Sequence, residues 1–305
     1  MRKAVFVPAG LLIVAGFLAA GWLASAPGKL SPETAEVMKS PGDAADGRIV
    51  FFAGGCDSCH MSPGQDDPLR LGGGRELKTR FGSFYPPNIS QDRTDGIGGW
   101  SADDFAQALL LGVSPRGEHY YPAFPYTSYR RMTRIDVRDL YAFMRTLPAV
   151  SGRAPPHALA FPFAIRRAIG LWKRLYLGGR QFPEAQGHDE VWKLGRYLVE
   201  GPGHCGECHS PRDLLGGIIA HRRLTGGVSP DGKGRVPDIT AAGLKDWGKA
   251  DIAEALSSGI TPSGDSLGGL MAAVVRNTAQ LPASYRDAIA DYLKSIVRED
   301  APAGR

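Results

Sequence analysis

The sequence has little cysteine, little methionine and little net charge. Its 305 residues include four cysteines and six methionines, and 36 basic residues against 31 acidic ones leave a formal net charge of only +5. So small a charge, with no dense basic block outside one short segment, argues against nucleic acid as a partner. The 9% of aromatic and 22% of charged residues exclude a disordered chain or one with many membrane spans. Glycine and proline are abundant instead, at 40 and 23 residues, which predicts many turns and long loops between rather few helices.

An uncharged stretch, residues 4–26, follows two basic residues at the start of the chain. At about 1.5 Å per residue, such a helix could cross a hydrocarbon core of about 30 Å. We therefore predict a membrane-spanning anchor over residues 1–27; the alternative is a signal peptide removed just before Pro27, whose ring would fit a protease cleft badly. The basic start would keep that end in the cytoplasm, which predicts a bacterial inner-membrane protein with its soluble part in the periplasm. Residues 28–42 would form a proline-rich tether.

All four cysteines lie in two copies of the motif C-x-x-C-H. The copies consist of Cys56, Cys59 and His60, and of Cys205, Cys208 and His209. Two thiols at this spacing can each bond one vinyl group of a haem, and the next histidine can bind the iron. A zinc ribbon would bring its cysteine pairs within about 20 residues of each other, and a thioredoxin-type pair or two disulfides would leave the repeated histidines unexplained. The motifs predict two covalently bound haem c groups.

The sequence around the two motifs is repeated. The segment Pro87-Asn88-Ile89-Ser90 after the first motif matches Pro237-Asp238-Ile239-Thr240 after the second, and Trp100 matches Trp247. Each half ends in a stretch with helical apolar spacing. At roughly 100–200 residues per domain, the length also favours two domains. We predict a mainly α chain with two tandem haem domains, residues 43–150 and 187–299, joined by a connection over residues 151–186.

In each predicted domain a helix before the haem motif would cross the terminal helix at a glycine. Gly47 would meet Phe143 in the first domain, and Gly195 would meet Tyr292 in the second. With the order helix, C-x-x-C-H, proline-rich loop, helix and terminal helix, both halves resemble class I cytochrome c folds.

More narrowly, the chain resembles the cytochrome c subunits of periplasmic alcohol and aldehyde dehydrogenases, through segments 121–126 (YPAFPY), 208–212 (CHSPR) and 268–271 (GGLM). The resemblance implies a dihaem cytochrome that is not itself an enzyme. It would relay electrons from a periplasmic dehydrogenase to the respiratory chain, with quinone or a terminal oxidase as acceptor. The alternative is a dihaem redox enzyme of the peroxidase or thiosulfate dehydrogenase type, which would use an exchangeable or unusual ligand at the first haem.

Methionine opposite histidine is the ligand set that raises the potential of an electron-transfer haem. Met271 matches the methionine position of the family and is the predicted sixth ligand of the second haem. The same register places Phe124 at that position in the first half, and phenylalanine cannot bind iron. We predict Met132 as a relocated ligand there, with His119 or an open site as alternatives, and we expect Met144 to fill the core.

Three further side chains are candidates for the haem propionates. The indole N–H groups of Trp100 and Trp247 could reach a propionate, or the rings could be core aromatics at a helix start. The guanidinium of Arg212 could pair with a propionate or lie in solvent. Residues 161–177 have the pattern of a basic amphipathic helix, which we expect to pack across the two domains with its basic side chains solvated.

Overall fold

The computed structural model describes residues 6–177 and 187–297. The start of the predicted anchor, the end of the connection (178–186) and residues 298–299 lie outside the described residues. The chain is mainly helical, as predicted. Its helices are α1 (Phe6–Ala24), α2 (Pro32–Met38), α3 (Ala44–Ala53), α4 (Cys56–His60), α5 (Ala102–Leu111), α6 (Tyr126–Tyr129), α7 (Arg134–Met144), α8 (Ala168–Leu177), α9 (Glu190–Glu200), α10 (Gly206–His209), α11 (Lys249–Ser258), α12 (Leu270–Thr278) and α13 (Ala283–Ser295).

The strands are short. An antiparallel three-stranded sheet, in the order β1-β2-β3, contains β1 (Leu77–Thr79), β2 (Gly82–Phe84) and β3 (Ala158–Leu159). A second antiparallel pair contains β4 (Gly227–Val228) and β5 (Arg235–Val236). Below, residues 43–150 are called the first half and residues 187–297 the second half.

Two helix crossings organise the core, α3 with α7 and α9 with α13. At each crossing a glycine allows the backbones to touch: a Cβ added to Gly47 would lie 1.9 Å from the carbonyl oxygen of Asp139, and one added to Gly195 would lie 1.9 Å from that of Ala288. The Cβ atoms of Phe143 and Tyr292 lie 2.9 Å from these same positions. The predicted glycine–aromatic crossings are therefore confirmed in both halves.

Buried apolar side chains form two clusters. The first core includes Phe51, Val137 and Met144, and the second core includes Val199 and Ile289. Ala53 and Tyr285 pack against both cores. The two cores are therefore in contact, and the exact boundaries of two tandem domains stay a prediction.

Helix α8 joins the two halves, but its basic side chains do not behave as expected. The ammonium of Lys173 donates to the carbonyl oxygens of Leu111 (2.6 Å) and Gly112 (2.7 Å) at the end of α5. On the other side, the indole N–H of Trp172 donates to the carbonyl oxygen of Leu215 in the second half, at 2.9 Å. The expectation of a fully solvated basic face is wrong, because carbonyls at the end of α5 accept hydrogen bonds from Lys173.

Within the residues that the structure describes, no helix is both long and apolar enough to cross a membrane. This corrects the predicted membrane-spanning helix and the location in the bacterial inner membrane, with a periplasmic soluble part, that followed from it. Among the described residues, helix α1 spans Phe6–Ala24. The guanidinium of Arg167 donates to the carbonyl oxygen of Trp22, at 2.9 Å, in its last turn.

Candidate haem sites

Each C-x-x-C-H motif begins after a residue with left-handed backbone conformation. Gly55 (φ 57°) precedes Cys56, and His204 (φ 41°) precedes Cys205. Gly55 follows the C-cap of α3 and turns the chain into α4, which carries the first motif. His204 lies four residues beyond the end of α9 and leads into α10, which carries most of the second motif.

Both motif histidines are held through the same ring nitrogen. The Nδ1 of His60 lies 2.8 Å from the carbonyl oxygen of Pro87, and the Nδ1 of His209 lies 2.8 Å from that of Pro237. Because a carbonyl can only accept, Nδ1 carries the proton and Nε2 keeps its lone pair for a metal. Burial lowers the pKa of His60 to about 4 and also lowers the pKa of His209, so both imidazoles are neutral at pH 7.

All four cysteines lie within the described residues, and none forms a disulfide, so each thiol is available to bond a haem. Burial raises the pKa of Cys56 to about 12, of Cys59 to about 11 and of Cys205 to about 12, and it raises the pKa of Cys208. Each motif thus offers two thiols and one oriented neutral imidazole, which is the donor set that a covalently bound haem needs.

The sixth-ligand candidates lie after equivalent turns. Gly112 (φ 60°) is the C-cap of α5, and Gly259 (φ 79°) is the C-cap of α11. The N–H of Tyr120 donates to the carbonyl oxygen of Gly112 (2.8 Å), and the N–H of Leu267 donates to that of Gly259 (2.7 Å). This supports the register that aligns Phe124 with Met271.

The methionine candidates of the first half are both buried. Met132 (6% exposed) lies just before the N-cap of α7 and belongs to the first core, against which Cys56 also packs. Met144 (2% exposed) lies on α7 in the same core. In the second half, Met271 is half-buried at the start of α12. The ligand roles of Met132 and Met271 stay predictions.

His119 is turned toward α1 and α8. It is 3% exposed, and its Nε2 donates to the carbonyl oxygen of Ser25 at 2.9 Å. A Cβ added to Gly170 of α8 would lie 2.8 Å from this same nitrogen. The imidazole therefore fastens the end of α1 to the first half through Nε2, while its Nδ1 is buried without a hydrogen-bond partner among the described residues, so His119 stays an alternative sixth ligand.

The propionate candidates have other visible partners. Trp100 packs against the first core and Trp247 against the second, as half-buried rings. Arg212 donates to the side-chain oxygen of Glu207 (2.6 Å) and to the carbonyl oxygen of Gly216 (2.8 Å). The structure therefore gives Arg212 a partner within its own loop, and the contact of all three side chains with a propionate stays a prediction.

A family model for cytochrome c matches residues 44–148. The "Diheme cytochrome c-type" protein of Cereibacter sphaeroides is 49% identical over 298 residues, which cover 97% of this chain and 99% of that protein. This chain belongs to the dihaem cytochrome c family. The predicted family and the two covalently bound haem c groups are confirmed.

Other relatives of this dihaem cytochrome c are named as subunits of dehydrogenases. The fructose dehydrogenase cytochrome subunit of Gluconobacter japonicus is 34% identical over 255 residues, 82% of this chain and 52% of that protein. The cytochrome c subunit of the quinone-type alcohol dehydrogenase of Komagataeibacter europaeus is 33% identical over 264 residues, 82% of this chain and 55% of that protein. The chain spans about half the length of these two subunits. Like its relatives, this cytochrome is an electron-transfer protein rather than a catalytic enzyme.

The sequence reasoning missed a buried carboxylate in the second motif of this dihaem cytochrome c. Glu207, between the two cysteines, accepts hydrogen bonds from the hydroxyls of Thr127 and Ser128 on α6 of the first half. Its other oxygen is paired with Arg212. The only sequence signal for this contact is an acidic residue between the two cysteines of C-x-x-C-H, and this signal does not predict which residues contact it.

The first motif makes the reciprocal contact. The side-chain amide of Asn277 on α12 of the second half donates to the hydroxyl of Ser58, at 3.1 Å. Between the motifs, the Nε2 of His204 lies 3.3 Å from the carbonyl oxygen of Gly54, and the hydroxyl of Tyr129 donates to the same oxygen at 2.9 Å. The segments that precede the two attachment motifs of this dihaem cytochrome c are therefore in direct contact.

Proposed function

We propose that the chain takes electrons from the catalytic subunit of a dehydrogenase at one haem and passes them through the other haem to an acceptor, either quinone or a terminal oxidase. The observation that carries this proposal is the contact between the segments that precede the two motifs, where His204 and Tyr129 both reach the carbonyl oxygen of Gly54. A haem bonded to the cysteines of each motif has its attached edge at that motif, so the two attached edges would lie at a shared interface. The names of the relatives support a dehydrogenase as the donor.

Each half supplies a complete ligand set in this proposal. His60 and Met132 would hold the first iron, and His209 and Met271 the second. When bound, the haem supplies reversible one-electron chemistry at iron. The protein's part is to fix both imidazoles through Nδ1, to keep them neutral, and to supply one methionine sulfur for each iron, which together favour a six-coordinate iron that exchanges electrons without binding substrate.

A dihaem enzyme of the peroxidase type is the second candidate. The observation that favours it is Phe124, which occupies the register position of Met271 and cannot bind iron. If Met132 did not reach the iron, the first haem would have an open position. His119 would be the alternative ligand there, because its Nε2 donates to Ser25 and its Nδ1 has no hydrogen-bond partner among the described residues.

The experiment starts with native purification through a C-terminal tag, followed by identification of co-purifying chains by mass spectrometry. We expect a dehydrogenase subunit in fixed ratio, and we expect its substrate to reduce both haems, as followed by the visible absorption bands. The same preparation is then mixed with carbon monoxide after reduction. Reduction of only one haem, or rapid carbon monoxide binding at one haem, would contradict the relay and support the enzyme.

A further inference from the structure

Glu207 lies inside the second attachment motif, yet two of the three residues whose side chains donate to it belong to the first half of the chain. Its side chain is 9% exposed. One carboxylate oxygen accepts from the hydroxyls of Thr127 and Ser128, the latter at 2.8 Å. The other accepts from the guanidinium of Arg212 at 2.6 Å.

The carboxylate of Glu207 places a negative charge inside the second motif, and hydrogen bonds from α6 control how strongly that charge acts. A buried carboxylate beside a haem favours the ferric over the ferrous iron, because the ferric form carries one more positive charge. Hydrogen-bond donors to the carboxylate withdraw part of its negative charge and weaken that preference. The hydroxyls of Thr127 and Ser128 are such donors, and Ser128 is fully buried.

We propose that α6 of the first half sets the reduction potential of the second haem by donating two hydrogen bonds to Glu207. Thr127 and Ser128 are positioning residues in this arrangement: they act through Glu207 and do not touch the iron. This proposal rests on the proposed relay in one respect. If the chain relays electrons, the potential of the second haem in that relay depends on how α6 of the first half packs. At the first motif, Asn277 donates to the hydroxyl of Ser58, and the buried carboxylate of Asp57 lies 4.0 Å from the guanidinium of Arg276 on α12.

The test compares the midpoint potentials of both haems in the full chain, by redox titration with optical detection. The variants are Ser128→Ala and Thr127→Val, which remove donors without changing charge, Glu207→Gln, which removes the charge, and the double variant Ser128→Ala with Glu207→Gln. The control is Glu190→Gln, because Glu190 lies in the same half with its side chain 88% exposed and paired with Lys193.

We expect Ser128→Ala and Thr127→Val to lower one potential and Glu207→Gln to raise that same potential. In the Glu207→Gln background, Ser128→Ala should have little further effect, and Glu190→Gln should leave both potentials near those of the unaltered protein. A merely structural role would change resistance to urea but would not produce shifts of opposite sign at one haem.

Unchanged potentials in both Ser128→Ala and Thr127→Val would overturn the proposal, as would a Ser128→Ala shift that persists in full when Glu207 is replaced by glutamine. The two hydroxyl variants keep the test decisive even if Glu207→Gln does not fold. The number of bound haems in each variant is measured first by intact mass. If a variant lost a haem, this result would count against the assignment of the haems to the two motifs. Failure of the relay would be seen differently, as a haem that the dehydrogenase substrate does not reduce.

Discussion

Replacing Gly195 by alanine would force apart α9 and α13, the helices that cross behind the second haem motif. The new Cβ would lie 1.9 Å from the carbonyl oxygen of Ala288, whereas real contacts stay above 3.0 Å. The helices must therefore separate by roughly 1 Å, which forfeits a quarter to a half of the dispersion energy at the crossing. Overpacking costs about 1–3 kcal/mol, and the obstacle here is backbone that cannot swing away. Alanine returns about 1 kcal/mol of helix propensity, so we expect a net loss of about 2 kcal/mol.

The assay is urea unfolding of the haem-loaded protein, followed by far-ultraviolet circular dichroism and by the haem absorption band. The matched control is Gly16→Ala, since Gly16 is also helical and no described atom lies within 4 Å of its added Cβ. The control gains the same helix propensity without the clash. If Gly195→Ala proves as stable as Gly16→Ala, the close backbone approach is not what holds this crossing.

Three further predictions concern ligands and charge. Met271→Ala should lower the potential of one haem and give it a high-spin spectrum, because a sulfur ligand that favours ferrous iron is lost; an unchanged spectrum would remove Met271 from the ligand set. Met132→Ala should do the same to the other haem, while Met144→Ala should change only unfolding, by about 2–5 kcal/mol; equal spectra for both variants would contradict the assignment. The hydrogen bond from the N–H of Gly152 is the leading cause of the lowered pKa of Asp95. The ionised Asp95 side chain therefore stabilises the folded protein at pH values above its pKa in the unfolded chain, and this contribution is lost as the pH falls through its lower pKa in the folded protein. Asp95→Asn should flatten the acid limb of unfolding measured against pH, and an identical limb would refute this.

The haem attachment residues could be predicted from the sequence because their chemistry is local. The two thiols and the imidazole of C-x-x-C-H bind one haem and lie within five consecutive residues, so their spacing alone predicts covalent haem attachment. The glycine crossings could be predicted from the repeat, since Gly47 and Gly195 hold the same place before their motifs. In both cases the information lies in short segments that need no knowledge of distant contacts.

Contacts between distant segments could not be predicted in this way. Glu207 and Thr127 are 80 residues apart in the chain, and no periodicity encodes their meeting. The same reason explains why the prediction for the basic face of α8 is wrong. An amphipathic pattern shows where Lys173 lies on the helix, but it does not show that the carbonyls at the end of α5 accept hydrogen bonds from its ammonium group. The membrane prediction counted apolar residues and had no means of placing the end of α1 at Ala24.

The reciprocal contacts make this chain behave like a two-fold dimer whose subunits have been joined end to end. In such a dimer each copy offers the same surface to the other, and here each motif is met by a helix from the opposite half, Glu207 by α6 and Ser58 by α12. Two separate single-haem proteins with this interface would part on dilution, whereas a covalent connection keeps their effective concentration constant, at the millimolar level typical of short linkers. The pairing of the two motifs is thus independent of how much protein the cell makes.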